Sequence, residues 1–228
     1  EKKEVALENF TQGGNRFVWD MRYTPASDFE GMILWWSSMQ GPKALPGTYK
    51  VKMTVDGEST EREFEILKSP NASMSIADMQ AKFDFLMKVR DKVTEAHEAI
   101  TAMRYAKEQM EQVSDRLKSN EDMQTVLEKA KEINEKITEV EKTLYQTKNK
   151  SRQDPLNYPI RLTNKLAHLN SLEGMSDHAP TEQSEAFRKE VTSKIDTELA
   201  KWQAIRENDI PQFNAIVKQK SVDAVMLK

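Results

Sequence analysis

The chain has 228 residues, with 34 Lys or Arg against 37 Asp or Glu and a net charge of −3. Charge of mixed sign without a basic stripe excludes nucleic acid as the main partner. The absence of Cys removes disulfides, thiol nucleophiles and thiolate metal sites, and fits periplasm and cytoplasm equally.

The length allows one large domain or two small ones. No apolar run approaches the ~20 residues of a membrane span. No signal peptide is present and no initiator Met precedes Glu1, which points to a processed start or a fragment of a longer protein.

Residues 1–15 are polar, with Gly13-Gly14 as a turn and Val5, Ala6, Leu7 and Phe10 as a short first strand. Arg16 to Tyr23 alternates, Phe17, Trp19 and Met21 to one side and Val18, Asp20 and Arg22 to the other, which predicts a strand. A loop follows from Thr24 to Gly31. Met32 to Ser37 is a short apolar run that reads as a second strand. Gly41-Pro42 and Pro46-Gly47 are turn signals. Thr48 to Val55 alternates with Tyr49, Val51, Met53 and Val55 on one face, Asp56-Gly57 marks a tight hairpin, and Thr60 to Leu67 returns with Phe64 and Ile66 inward. Closely spaced short strands of this kind predict an antiparallel sandwich of immunoglobulin or fibronectin type, with Tyr49 anchoring a corner.

Lys68 to Met74 is the boundary. Ser75 with Asp78 then starts a helix that runs without Gly or Pro to Leu117. Its apolar residues, from Ile76 and Met79 through Val89, Val93, Ile100 and Met110, recur every three or four positions and form one stripe. Ser119-Asn120 breaks it. A second helix over Glu121 to Lys148 runs back along the first. A third spans Ile160 to Leu172, and Thr181 caps a fourth whose stripe ends in Trp202 and Ile205. Asp209-Ile210-Pro211 bends that helix into a last piece, Gln212 to Lys218. The expected fold is α+β with two domains: a β-sandwich over residues 1–70 and an up-down four-helix bundle over residues 71–228.

The chemistry-bearing residues are sparse. The three histidines, His97, His168 and His178, form no His-x-x-x-His or Glu-x-x-His pair, so the residues predict no metal and no cofactor. His97 reads as a solvated or interfacial helix residue. No Gly-x-Ser-x-Gly elbow and no phosphate-cradling glycine loop occurs. Asp20, Asp28 and Glu30 lie near aromatic residues, the composition of a glycoside-cleaving site. Trp19, Tyr23, Trp35 and Trp36 cluster in one short region. Either they fill the sandwich core and pack on the helices, or they present a sugar-stacking or protein-binding face. Arg161 and Asn164 stand three residues apart on one helix face, as a second candidate surface or as a brace at the β–α junction. The stripe of the long helix is a third candidate, as the groove of a helical adaptor; stripes without clean heptads favour an intramolecular bundle instead.

Four segments carry a resemblance: Asn15 to Tyr23 (NRFVWDMRY), Gly31 to Trp35 (GMILW) with Gly41-Pro42-Lys43-Ala44, Pro46 to Val51 (PGTYKV), and Tyr158 to Ala167 (YPIRLTNKLA). Together with Phe83 to Val93 and Asp209 to Asn214, they resemble the C-terminal region of large bacterial exported glycosyl-hydrolase-type proteins that carry sortilin-like, BNR-type β-propellers in front. The chain departs from that pattern at Trp36-Ser37-Ser38 and Ser69-Pro70-Asn71. The resemblance implies a C-terminal fragment in the periplasm or at the cell surface, and places any hydrolase site in the propellers. No catalytic residue transfers to this chain. The expected role is a non-catalytic accessory module that docks its own propellers and contacts polysaccharide or a protein partner. The alternatives are a carbohydrate-binding or glycoside-cleaving module, and a helical adaptor.

Overall fold

The computed structural model describes residues 5–6, 11–175 and 177–220. The expected first strand with Leu7 and Phe10 lies largely outside them. In chain order the elements are β1 (Gly47–Val55), β2 (Glu58–Ile66), α1 (Ile76–Leu117), α2 (Gln124–Leu144), α3 (Leu162–Gly174), α4 (Glu182–Ala204) and α5 (Ile210–Gln219).

α1 is the frame. Ser75 caps it: its Oγ accepts from the Asp78 amide at 3.0 Å and donates to the Asp78 carboxylate at 2.7 Å, which also sets a negative charge against the positive end of the helix dipole. The 42 residues of α1 span roughly 63 Å at 1.5 Å per residue. Phe85, Leu86, Val89, Val93, Ala96, Ile100, Met103, Met110 and Leu117 form its buried stripe. α2, α3 and α4 all pack against it. Asn120 ends the break by capping a 3-10 turn (Glu121–Met123), and a connection this short sends α2 back antiparallel. Ahead of Pro211, the chain widens into a π turn over Ile205–Asp209. Proline has no N–H to give and its ring crowds the preceding turn, so the extra residue accommodates it.

The β-sandwich is not there. The sheet among the described residues is a two-stranded antiparallel hairpin, in register from Gly47 against Ile66 to Val55 against Glu58. Arg16 to Tyr23 forms no strand beyond one isolated bridge, Arg22 to Lys43. Met32 to Ser37 is irregular. Alternating side chains are necessary for a half-buried strand but do not make one; the backbone also needs a neighbouring strand to bond. Here the segment over residues 21–44 finds its partners on the helices instead, and lies along them as a strap. Ala26 belongs to the same hydrophobic core as the helices, and Phe29, Met32, Leu34 and Met39 pack against that core. The core therefore runs across the domain boundary expected at residue 70. The helical part agrees with a bundle.

Candidate interaction surface

The strap is closed at its base and bolted to the bundle along both limbs. Three backbone bonds close it: Ala44 N to Met21 O at 2.7 Å, Tyr23 N to Pro42 O at 3.0 Å and Ala26 N to Met39 O at 2.9 Å. Gly41 makes this possible. A Cβ there would stand 2.0 Å from the Tyr23 carbonyl oxygen, so no other residue fits without moving the chain.

The outgoing limb lies on α1. Arg90 donates to Thr24 O at 3.2 Å, and the Ser27 amide donates to Thr94 Oγ1 at 3.2 Å. His97 is fully buried and its Nδ1–H donates to Ser27 O at 2.6 Å. Its Nε2 is buried without a partner. Burial pulls the His97 pKa below its ordinary value, against the smaller opposing effects of the Ser27 bond and the Asp28 charge. The solvated reading of His97 is thus replaced by an interfacial one: the ring is enclosed between α1 and the strap.

At the tip, Phe29 sets its edge against His97 (5.1 Å between centroids) and Tyr145 (4.9 Å). The Arg104 guanidinium lies 4.5 Å over the Phe29 ring and pairs at 2.7 Å with Glu141, which is buried. The Ile33 amide donates to the Tyr145 hydroxyl at 2.8 Å. Burial pushes the Tyr145 phenol up from its ordinary pKa.

The return limb lies on α3. Asn164 is buried and takes both sides of Trp35: its Oδ1 accepts from Trp35 N–H at 2.7 Å and its Nδ2 donates to Trp35 O at 2.9 Å. The same Nδ2 reaches Ser37 Oγ at 2.7 Å. His168 Nδ1–H donates to Trp36 O at 2.8 Å, and Asn170 donates to Ser38 O and Gln40 O, both at 2.8 Å.

The expected site residues separate into three places. Trp35, Trp36 and Asn164 meet at the α3 clamp, and Arg161, exposed, is the N-cap residue of the same helix. Trp36 is 72% exposed, whereas Trp35 is half-buried. Trp19 sits elsewhere, at the root of the hairpin, 5.8 Å from the Tyr49 ring and 6.2 Å from Phe64. Tyr49 there donates its hydroxyl to Leu45 O at 2.8 Å. Tyr23 packs edge-on against Phe83 of α1 at 4.8 Å. No sandwich core exists for these tryptophans to fill. The sequence marks Gly41 only as a turn residue and His168 only as a histidine without a metal-binding partner, and Asn170 was not singled out; the signal for the last two was a short helix that carries Asn164, His168 and Asn170 among its leucines.

Asp20, Asp28 and Glu30 are all exposed, and Asp20 Oδ1 is taken by the Arg22 amide at 3.0 Å. Neither of the two best-formed concavities includes them: one lies between α1 and α4 around Glu98, Asp196 and Trp202, the other at the start of α4. Among the described residues no group of His, Asp or Glu has the arrangement of a metal site, and no helix is long and apolar enough to cross a membrane. The α1 stripe is covered by the bundle and the strap, so its buried residues offer no groove to a partner helix.

The polar face of the hairpin is self-satisfied, with Lys50 paired to Glu63 at 3.2 Å and Thr54 bonded to Ser59 at 2.9 Å. Beyond the Tyr49–Phe64 pair, the other face presents Val51, Met53 and Val55, each half or more exposed, beside their cross-strand partners Arg62, Thr60 and Glu58. The chain matches no protein-family model, no curated protein and no solved structure.

Proposed function

We propose that this chain is a non-catalytic docking module, a rigid helical frame that holds out an amphipathic hairpin for a neighbouring β domain. The observation that carries this reading is the open face of Val51, Met53 and Val55. A two-stranded sheet is marginal by itself and gains stability when something covers its apolar face. The row of Val51, Met53 and Val55 is flanked by Arg62, Thr60 and Glu58 across the strands, and protein interfaces likewise set an apolar centre among polar groups. The resemblance described above supplies the class of partner, β-propellers of large exported bacterial proteins, and with it a periplasmic or cell-surface setting.

The test is a calorimetric titration of this chain with the propeller region of a protein that shares the NRFVWDMRY and PGTYKV motifs. Wild type should bind, and Val51→Glu with Met53→Glu should weaken binding by roughly a hundredfold, since two charges would be buried in an apolar contact. Equal affinity for the double variant, or no binding by wild type, would overturn the proposal.

A further inference from the structure

The Trp35–Gln40 turn makes five backbone hydrogen bonds to side chains of α3. The Trp35 amide and the carbonyls of Trp35, Trp36, Ser38 and Gln40 are all taken by Asn164, His168 and Asn170. Trp36 itself is in the left-handed region, at φ +49°. That conformation is uncommon for a bulky residue and costs free energy, so it persists only where surrounding bonds enforce it. The indole on this backbone is 72% exposed, with one neighbouring ring, Trp35, at 6.3 Å between centroids. A core residue would be buried, and a casual surface residue would not need five bonds behind it.

His168 of α3 holds the Trp36 carbonyl at 2.8 Å. The exposed cations Arg161, the N-cap residue, and Lys165 precede it by seven and three residues, which sets them on the same side of the helix. Glu190, near Lys165, is paired with Lys194 at 2.5 Å. Neither best-formed concavity touches this place. The indole and the two cations form an open platform. It suits a pyranose ring, whose axial C–H groups carry slight positive charge and meet the negative face of an indole.

From this geometry we infer that Trp36, its backbone held by His168, forms with the cations Arg161 and Lys165 a binding platform for acidic polysaccharide. The indole stacks on a sugar ring and the cations meet carboxylate or sulfate groups on neighbouring units. The platform shares no residue with the apolar face of the hairpin, so it stands or falls independently of the docking role.

The experiment is affinity electrophoresis of the chain in gels containing polygalacturonate, dextran sulfate, neutral dextran or poly-glutamate. Wild type is retarded by polygalacturonate or dextran sulfate and less by dextran and poly-glutamate. Trp36→Gly removes the ring and suits the positive φ, so it keeps the melting temperature and loses about tenfold or more in affinity. Arg161→Gln with Lys165→Gln lowers affinity and flattens its dependence on salt. Val51→Glu with Met53→Glu leaves retardation unchanged. The inference is overturned if neither acidic polysaccharide retards the chain, if poly-glutamate retards it equally, or if Trp36→Gly is retarded as strongly as wild type.

Discussion

Asn164 grips Trp35 as a neighbouring β-strand would. Its side-chain amide accepts from the Trp35 N–H at 2.7 Å and donates to the Trp35 carbonyl at 2.9 Å, one peptide unit satisfied by one surrogate peptide. Asn164→Leu therefore leaves a backbone donor and acceptor unpaired at the strap–helix contact. The expected cost is about 2–4 kcal/mol. Hydrogen exchange should show the Trp35 amide losing protection while α1 keeps its own. Unchanged protection at Trp35 would remove Asn164 from its role as clamp.

Gly41→Ala tests the base of the strap. The added methyl meets the Tyr23 carbonyl oxygen at 2.0 Å, and backbone on both sides must shift. Destabilisation of about 1–3 kcal/mol is expected in urea unfolding. A variant as stable as wild type would show that the two limbs separate without loss.

Acid should loosen the outgoing limb through His97. Its folded pKa is depressed, so the neutral ring is favoured inside and stability is complete above the unfolded value near 6.5. As pH falls below 6.5 the unfolded chain takes up a proton that the folded chain refuses, and stability declines until the folded pKa is passed. The exposed carboxylates act in a lower window: hydrogen bonds from Lys136 and Lys129 hold Glu132 at about 2, so its contribution is lost only below pH 4.5. Melting temperature measured from pH 8 to 5 should fall for wild type, and His97→Asn should remove the part of that fall between 6.5 and 5. Parallel curves for the two proteins would exclude His97 as the source.

Arg104→Leu strips the buried Glu141 of its close partner, leaving Lys107 at 3.8 Å, and removes the cation over Phe29. A loss of about 2–4 kcal/mol is expected, the upper part of it from the uncompensated carboxylate. The double variant Arg104→Leu with Glu141→Leu should recover much of the loss. Failure to recover would place the cost in the Phe29 contact instead.

The helices were legible because their information is local. Ser75, Asn120, Thr181 and Pro211 each mark a boundary by their own hydrogen-bonding chemistry, and a stripe every three or four residues identifies a buried face whatever covers it. The hairpin was legible for the same reason, through Asp56-Gly57 and the alternation on both sides. The sandwich was misread because Arg16 to Tyr23 and Met32 to Ser37 have the side-chain pattern of strands, while strand identity depends on a partner far away in sequence. For Trp35 and Trp36 the partners are the side chains of Asn164 and His168, some 130 residues on, and for Met21 and Tyr23 they are Ala44 and Pro42. The cluster of aromatic residues pointed to a surface, yet only the structure showed which ring faces water.

The span between the strap and its clamp has a consequence for biosynthesis. His168 leaves the ribosome 132 residues after Trp36, a delay of roughly 7–26 s at 5–20 residues per second. For that interval Trp35 and Trp36 have no α3 to hold them, although α1 and then α2 are synthesised within it. The strap is made first and seated last, after the longest loop in the fold has closed. The return limb of the nascent chain is thus without its clamp until α3 is complete.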